Sequence, residues 1–248
     1  MIIACPSRGR PGNVPNIQKL FPDCTFYVSK TEAPFYKQNG AKKIVEHPDD
    51  ITGVGKKKQW LLDSTPEDMF IVDDDIKYVW VNVGRLGRRI EEPDAIRQII
   101  ENAFQCATDM GAGFLGFANS WDVRKYTPND PFNFTGWVGA AMGFIGRDIP
   151  YDQGFNLRND VSCSLHNLLV KRYIWKDTRF AFVCERNTNF GGLSLDRTKE
   201  SDLANIQRMV DRWGKYLVFK EIGTTMNVSV RVPRRQPLPF EDLLRHKK

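Results

Sequence analysis

Cysteine and histidine are scarce in this chain, and their scatter excludes two common designs. Of 248 residues, five are Cys (Cys5, Cys24, Cys106, Cys163, Cys184) and three are His. No CxxC occurs, so a zinc site of the usual spacing is not expected, nor is a disulfide scaffold. The odd number of thiols fits a reducing, cytoplasmic setting. Long apolar runs are missing as well. None approaches the roughly 20 residues that cross a bilayer, and the opening Met-Ile-Ile-Ala-Cys-Pro-Ser-Arg turns polar too soon for a secretory signal. No membrane partner is therefore expected. Internal repeats and low-complexity segments are absent.

What is present is 41% hydrophobic and 12% aromatic residues, enough for the interior of one large domain or of two lobes sharing a core. Net charge is +6 with a pI near 9.0. The basic residues clump: Lys56-Lys57-Lys58, Arg85 with Arg88-Arg89, Arg231 with Arg234-Arg235, and Arg245-His246-Lys247-Lys248. Such runs often form nothing more than solvated surface. A basic chain nevertheless favours an anionic partner, and four clumps lean toward nucleic acid.

The first third alternates strand and helix. Ile2–Cys5, Thr25–Val28, Lys43–Glu46 and Met69–Val72 read as strands, with helices around Val14–Leu20, Pro34–Asn39 and Gly55–Leu62. That alternation predicts βαβ units, an α/β fold with a largely parallel open sheet and flanking helices. Val79–Glu92 is polar, glycine-punctuated and arginine-rich, and reads as a loop. Asp94–Met110 carries Ile96, Ile99, Ile100, Ala103, Phe104 and Ala107 on one face behind Pro93, and reads as a helix. Gly113–Ala118 and Gly136–Ile145 are expected strands, the second with glycines that suggest close approach of backbone or ligand. Between them, Ser120–Trp137 is irregular. Its Trp121, Tyr126, Phe132, Phe134 and Trp137 are as suited to stacking on a ring as to filling the core. Val161–Val170 and Ser201–Trp213 read as helices, Tyr216–Glu221 and Thr225–Val232 as closing strands, and 233–248 as a basic tail.

Three consecutive carboxylates carry the chemistry. Phe70-Ile71-Val72 reads as a buried strand, and Asp73, Asp74 and Asp75 follow at its carboxyl end, where open α/β sheets bind ligands. Along an extended segment Asp73 and Asp75 share a side and Asp74 points away. With no Cys or His nearby in sequence, such a pair suits Mg²⁺ or Mn²⁺ shared with substrate phosphates. The alternative is a solvated turn after a core strand, but three Asp at one sheet edge repel each other unless a cation offsets them.

Two basic loops could hold an anion. Pro6, Ser7, Arg8, Gly9 and Arg10 follow the first strand directly. Gly53-Val54-Gly55-Lys56-Lys57-Lys58 opens the helix leading into the Asp strand and offers free amides with lysines, though it is not a Walker A loop. Asp160 sits just before Val161–Val170, where it is either the helix N-cap or a general base facing the carboxylates. His166 is expected on that helix's surface rather than in a metal site.

Taken in order, these pieces resemble a GT-A glycosyltransferase. Ser7–Arg10, Gly55–Lys58, Ile71–Asp75, Thr135–Phe144, and Asp160 with Leu168 follow that family's sequence of motifs over about residues 1–175. The chain is more closely similar to the TET-associated glycosyltransferases of phages. There Asn189-Phe190-Gly191-Gly192-Leu193-Ser194, Arg197 and a helix ending Arg212-Trp213-Gly214-Lys215 look like the family's C-terminal half. The family's usual acidic pair is Asn159-Asp160 here, which leaves the base role to Asp160 alone.

The resemblance implies one GT-A domain over 1–232, with a nucleotide-sugar half (1–80) and an acceptor half (93–232). It implies a UDP-sugar donor held by Pro6, Ser7, Arg8, Arg10, Lys56, Asp73 and Asp74, and Mn²⁺ or Mg²⁺ on Asp75 and Asp73. Asp160 is the implied base, placed for inversion. The implied acceptor is DNA bearing 5-hydroxymethylcytosine, contacted by Arg85, Arg88, Arg89, Arg234 and Arg235, in the cytoplasm of an infected bacterium. A glycosyltransferase with a non-DNA acceptor and a nucleotidyltransferase are the alternatives.

Overall fold

The structure, a computed structural model, describes residues 1–184, 198–222 and 225–233. Strand and helix alternate from the start: β1 (Ile2–Pro6), α1 (Val14–Leu20), β2 (Thr25–Ser29), α2 (Ala33–Gln38), β3 (Ile44–His47), α3 (Val54–Ser64) and β4 (Met69–Val72). Next come β5 (Ile76–Val83), β6 (Leu86–Ile90), α4 (Pro93–Asp109), β7 (Phe114–Phe117), β8 (Phe132–Asn133) and β9 (Ala141–Phe144). The remainder is α5 (Asn159–Val170), β10 (Trp175–Asp177), β11 (Phe180–Cys184), α6 (Lys199–Trp213), β12 (Leu217–Ile222) and β13 (Thr225–Val230).

Eight strands make the central sheet in the order β3-β2-β1-β4-β9-β7-β10-β8. β3, β2, β1 and β4 run parallel, as do β7 and β10, whereas β9 is antiparallel to both β4 and β7, and β8 to β10. This is the mostly parallel α/β architecture that the alternation predicts. Both sheet faces are covered, which is why the strands read as unbroken apolar runs. Ile3, Cys5, Phe26, Val28, Phe70 and Val72 face α1, α2 and α4. Ala4, Tyr27, Met69 and Ile71 face α3 and α5. A third cluster joins α5 to α6 and to β12–β13 through Val161, Leu165, Leu169, Met209 and Trp213.

Helix boundaries fall within a few residues of the expected ones, three expectations need correction, and two strands went unrecognised. Val79–Glu92 is not a loop: β5 and β6 form a hairpin around Gly84, and β5 also pairs with β11 to make a separate three-stranded sheet. Tyr78, Trp80 and Arg89 share one face of it and Val79 and Ile90 the other, so the apolar alternation is real but only one side is core. Gly136–Ile145 is strand only over Ala141–Phe144, because Gly136 (φ 82°) and Ala140 (φ 55°) turn the backbone left-handed before it. His166 is buried between α5 and α6, its ring 6.0 Å from that of Trp213, because α6 covers the face expected to be solvated. Trp175–Asp177 and Phe180–Cys184, not recognised from sequence, supply β10 and β11.

Phe132 and Phe134 pack on Trp175, and Trp137 packs with the α5–α6 cluster, which makes three of the five aromatics core filler. Trp121 stays 53% exposed. The segments at 189–194 and 197, with Arg234 and Arg235, lie outside the described residues.

The start of α3 is pinned by a contact only glycine permits. A Cβ on Gly55 would lie 2.6 Å from the Asp152 carbonyl oxygen and 2.8 Å from that of Phe155, both backbone atoms. The loop ahead of α5 therefore sits directly on α3. We expect Gly55→Ala to destabilise the protein by about 1–3 kcal/mol, as overpacking does. The check is urea denaturation with a lowered midpoint and an unchanged slope.

Candidate active site

The carboxyl end of β4 is where the pieces meet. Asp73 leaves the strand with its N–H donated to the Ala140 carbonyl at 2.8 Å, and Asp74 and Asp75 form a turn before β5. The segment is thus not extended as the alternation argument assumed, yet the side chains divide the same way. Oxygens of Asp73 and Asp75 converge, while Asp74 turns toward the loop after β1.

Asp74 is enclosed by its partners. It accepts hydrogen bonds from Ser7 Oγ and, at 2.8 Å, from Arg10 Nη1, which also lies 3.4 Å from Asp75 Oδ2. Ser7 Oγ is in turn 2.6 Å from the Tyr36 hydroxyl, which accepts the Arg10 N–H at 3.2 Å. Burial raises the Asp74 pKa, against the opposing pull of Ser7 and Arg10. Asp74, Ser7, Arg10 and Tyr36 therefore fasten the loop after β1, closed at Pro6, to the Asp turn. Arg8 is exposed at the mouth of this loop.

Asp73 and Asp75 have an unexpected companion. Cys184 Sγ and one oxygen of each carboxylate lie within 4.8 Å of one another. Cys184 ends β11 at a bulge, where the register with β5 shifts and Cys184 falls opposite Ile76. The two carboxylates suit a hard ion such as Mg²⁺ or Mn²⁺, whereas the thiol is a soft donor that suits Zn²⁺ or iron better. Nothing in the sequence signals this, since Cys184 is more than 100 residues away and belongs to no motif. Burial pushes the Asp73 carboxyl up to about 7, and the charges of Asp75, Asp74 and Asp160 add to the shift while Lys58 opposes it.

Asp160 faces the same space from α5. It is not the N-cap: the helix begins one residue earlier, and Arg158 occupies the cap in a left-handed conformation (φ 57°). Asp160 lies in the first turn, where its Oδ1 accepts the Val161 N–H at 2.9 Å. A Cβ on Gly139 would stand 3.1 Å from the other Asp160 oxygen and 2.7 Å from the Trp137 ring, so only the bare glycine fits between the two. Desolvation raises its pKa, and the nearby Lys58 ammonium pulls it back. Arg158, half-turned from the helix, binds Asp202 of α6 at 2.9 Å, which anchors the start of α5.

Lys58, rather than Lys56, is the lysine of this site. Lys56 is exposed on α3, whereas Lys57 and Lys58 are buried, Lys58 to 4%. The Lys58 ammonium is 3.4 Å from Asn159 Oδ1, which also accepts the Tyr151 hydroxyl at 2.5 Å, and it lies 5.6 Å from the centre of the Tyr151 ring. It is the leading charge acting on both Asp73 and Asp160. Three adjacent lysines look alike in sequence, and only the phase of α3 against α5 tells them apart. The helix N-terminus itself is not an open anion site, because the loop around Asp152–Asn156 covers Gly53 and Gly55.

Arg85, Arg88 and Arg89 all lie exposed on the β5–β6 hairpin, which springs from the Asp turn. Arg89 stacks 4.2 Å above the Tyr78 ring. Among the described residues no helix is long and apolar enough to cross a membrane.

No family model matches the chain, and no curated protein matches it. Among solved structures it is similar to a CMP:2-keto-3-deoxy-manno-octonic acid synthetase complexed with CTP, at 10% identity and a TM-score of 0.40. That match covers 83% of this chain and 98% of the other. A likeness of that strength carries no weight for function.

Proposed function

We propose that the protein is a metal-dependent glycosyltransferase that moves a sugar from a UDP-sugar to the hydroxyl of 5-hydroxymethylcytosine in DNA. The observation that carries this reading is the meeting of the Asp73–Asp75 pair with Asp160 at one sheet edge, both under the influence of buried Lys58. Carboxylates for an ion and a separate, enclosed carboxylate for a proton are the two functions that activated transfer to a hydroxyl requires.

In this reading Asp73 and Asp75, with Cys184 beside them, would hold the ion. When bound, such an ion acts as a Lewis acid that offsets charge developing on the leaving diphosphate. Arg10 adds positive charge beside the nucleotide, and the loop at Pro6–Arg10 positions it. Asp160 accepts the proton of the acceptor hydroxyl as that oxygen bonds the anomeric carbon. The bond from that carbon to the diphosphate breaks with its electron pair leaving on UDP. Lys58 opposes the effect of burial on Asp160 and so favours its ionised form. A base on the side opposite the leaving group gives inversion.

DNA as acceptor draws on the net charge of +6 and on the hairpin that starts beside the site. Its residues 76–90 include Lys77, Arg85, Arg88 and Arg89 and no acid. The major-groove position of the hydroxymethyl group makes that hydroxyl accessible at the duplex surface.

The test is nucleoside mass spectrometry after incubating hydroxymethylcytosine DNA with the protein, Mn²⁺ and a mixture of UDP-sugars. A nucleoside heavier by one anhydro-sugar, with stoichiometric UDP, is the expected result. Pyrophosphate released when CTP or UTP and a sugar phosphate are supplied instead, with no transfer from the UDP-sugars, would make the protein a nucleotidyltransferase. UDP release with unmodified DNA would retain the transferase and reject the acceptor.

A further inference from the structure

The outer face of the three-stranded sheet carries an aromatic corner that the mechanism does not use. Trp80 lies flat on β6: a Cβ on Gly87 would sit within 2.5 Å of three atoms of its indole, so only glycine leaves room for it. The indole N–H donates to Asn82 Oδ1 at 3.2 Å, which fixes the ring in its plane. Trp121, from the irregular segment after β7, stands against it edge-on, with centroids 5.7 Å apart and planes at 61°. One ring thus forms a floor and the other a wall, and the wall is solvent-exposed. Arg89 lies beside Trp80 on the same face, above Tyr78.

Charge narrows the occupant. The strands under the corner are basic without a compensating acid, and the nearest acid in sequence to Trp121, Asp122, is already bound to Arg124 at 2.9 Å. A flat ring seat among cations suits a planar, anion-linked ligand, the unpaired base of a single strand. A double helix hides its base faces and cannot use it.

We propose that Trp80 and Trp121, with Arg89, stack an unpaired base of the DNA strand that carries the reacting cytosine. Trp80 is five residues beyond Asp75 along β5, or about 16 Å at the rise of an extended strand. The seat is therefore a few nucleotides from the reacting base, and it makes locally opened DNA the preferred substrate. This inference rests on the proposal that DNA is the acceptor.

Fluorescence anisotropy with labelled oligothymidylate and with a duplex of the same length, at one fixed salt concentration, tests it. Trp121→Ala is expected to weaken single-strand binding about tenfold, the contribution of one stacked base. Duplex binding and UDP release from donor alone should change less than twofold, since Trp121 is exposed and its ring contact is with Trp80. Trp121→Phe should restore most of the loss, which a merely charged surface would not predict. If the wild type binds both DNAs and Trp121→Ala weakens neither, or both equally, the stacking seat is wrong and the DNA reading survives. A wild type that binds no DNA overturns both.

Discussion

Asp160→Asn is expected to lower the rate of sugar transfer by about 10²–10⁴-fold, the usual worth of a positioned general base. Asn keeps the shape and the carbonyl oxygen that accepts the Val161 N–H, so α5 should start as before and the melting temperature should stay close to wild type. Binding of the UDP-sugar should be unchanged, because the proposed donor side is the Asp turn and the loop after β1. The pH profile gives the sharper signature. Burial holds the Asp160 pKa above the ordinary carboxylate value. The acid limb of kcat/KM should therefore lie at higher pH than for a solvated Asp, and should vanish in the variant. Transfer at wild-type rate by Asp160→Asn would remove the base assignment.

Asp73→Asn should have opposite effects on activity and stability. Loss of a ligand should abolish Mn²⁺-dependent transfer to within background. The same change should stabilise the metal-free protein at pH 8 by up to about 4 kcal/mol, at roughly 1.4 kcal/mol for each tenfold change in proton affinity. In the unfolded chain Asp73 ionises near 3.8, and in the folded one near 7. Between those values the folded state holds a proton that the unfolded state has lost. Stability thus falls as pH rises from about 4 to 7, and the full penalty stands above 7. Urea unfolding of both proteins at pH 5 and pH 8 measures it: the wild type should lose stability between the two and the variant should lose less. Added Mn²⁺ should recover the wild type alone. A variant no more stable than wild type at pH 8 would mean that Lys58 already offsets the buried charge.

Much of this was readable in the sequence where a residue's neighbours along the chain decide its fate. Met69–Val72 is buried on both faces and so reads as an apolar run. α4 shows its stripe because one face meets the sheet and the other meets water. The division of Asp73 and Asp75 from Asp74 was also legible, although through a turn rather than a pleat. The β5–β6 hairpin was obscured because its outer face holds Tyr78, Trp80 and Arg89, which resemble neither a core face nor a plain polar one. Choosing Lys58 over Lys56 needed the contact of α3 with the loop before α5, and finding Cys184 needed the pairing of β11 with β5. Both depend on long-range packing that no local window contains. Arg158 in the cap position of α5 violates the usual preference for Ser, Thr, Asp or Asn there, and its bond to Asp202 explains why.

Two of the three candidate ion ligands are tethered to the side sheet: β5 begins at the residue after Asp75, and β11 ends at Cys184. The same two strands meet at the Trp80–Ala181 pair, beneath the aromatic corner. In the proposed reading, ion and DNA strand would therefore act on the same pair of strands. Whatever factor the ion changes in the affinity for single-stranded DNA, the DNA must return to the ion by thermodynamic reciprocity. If an ion tightens single-strand binding, opened DNA tightens the ion by the same factor, and an Mn²⁺ titration with and without oligothymidylate reads that factor.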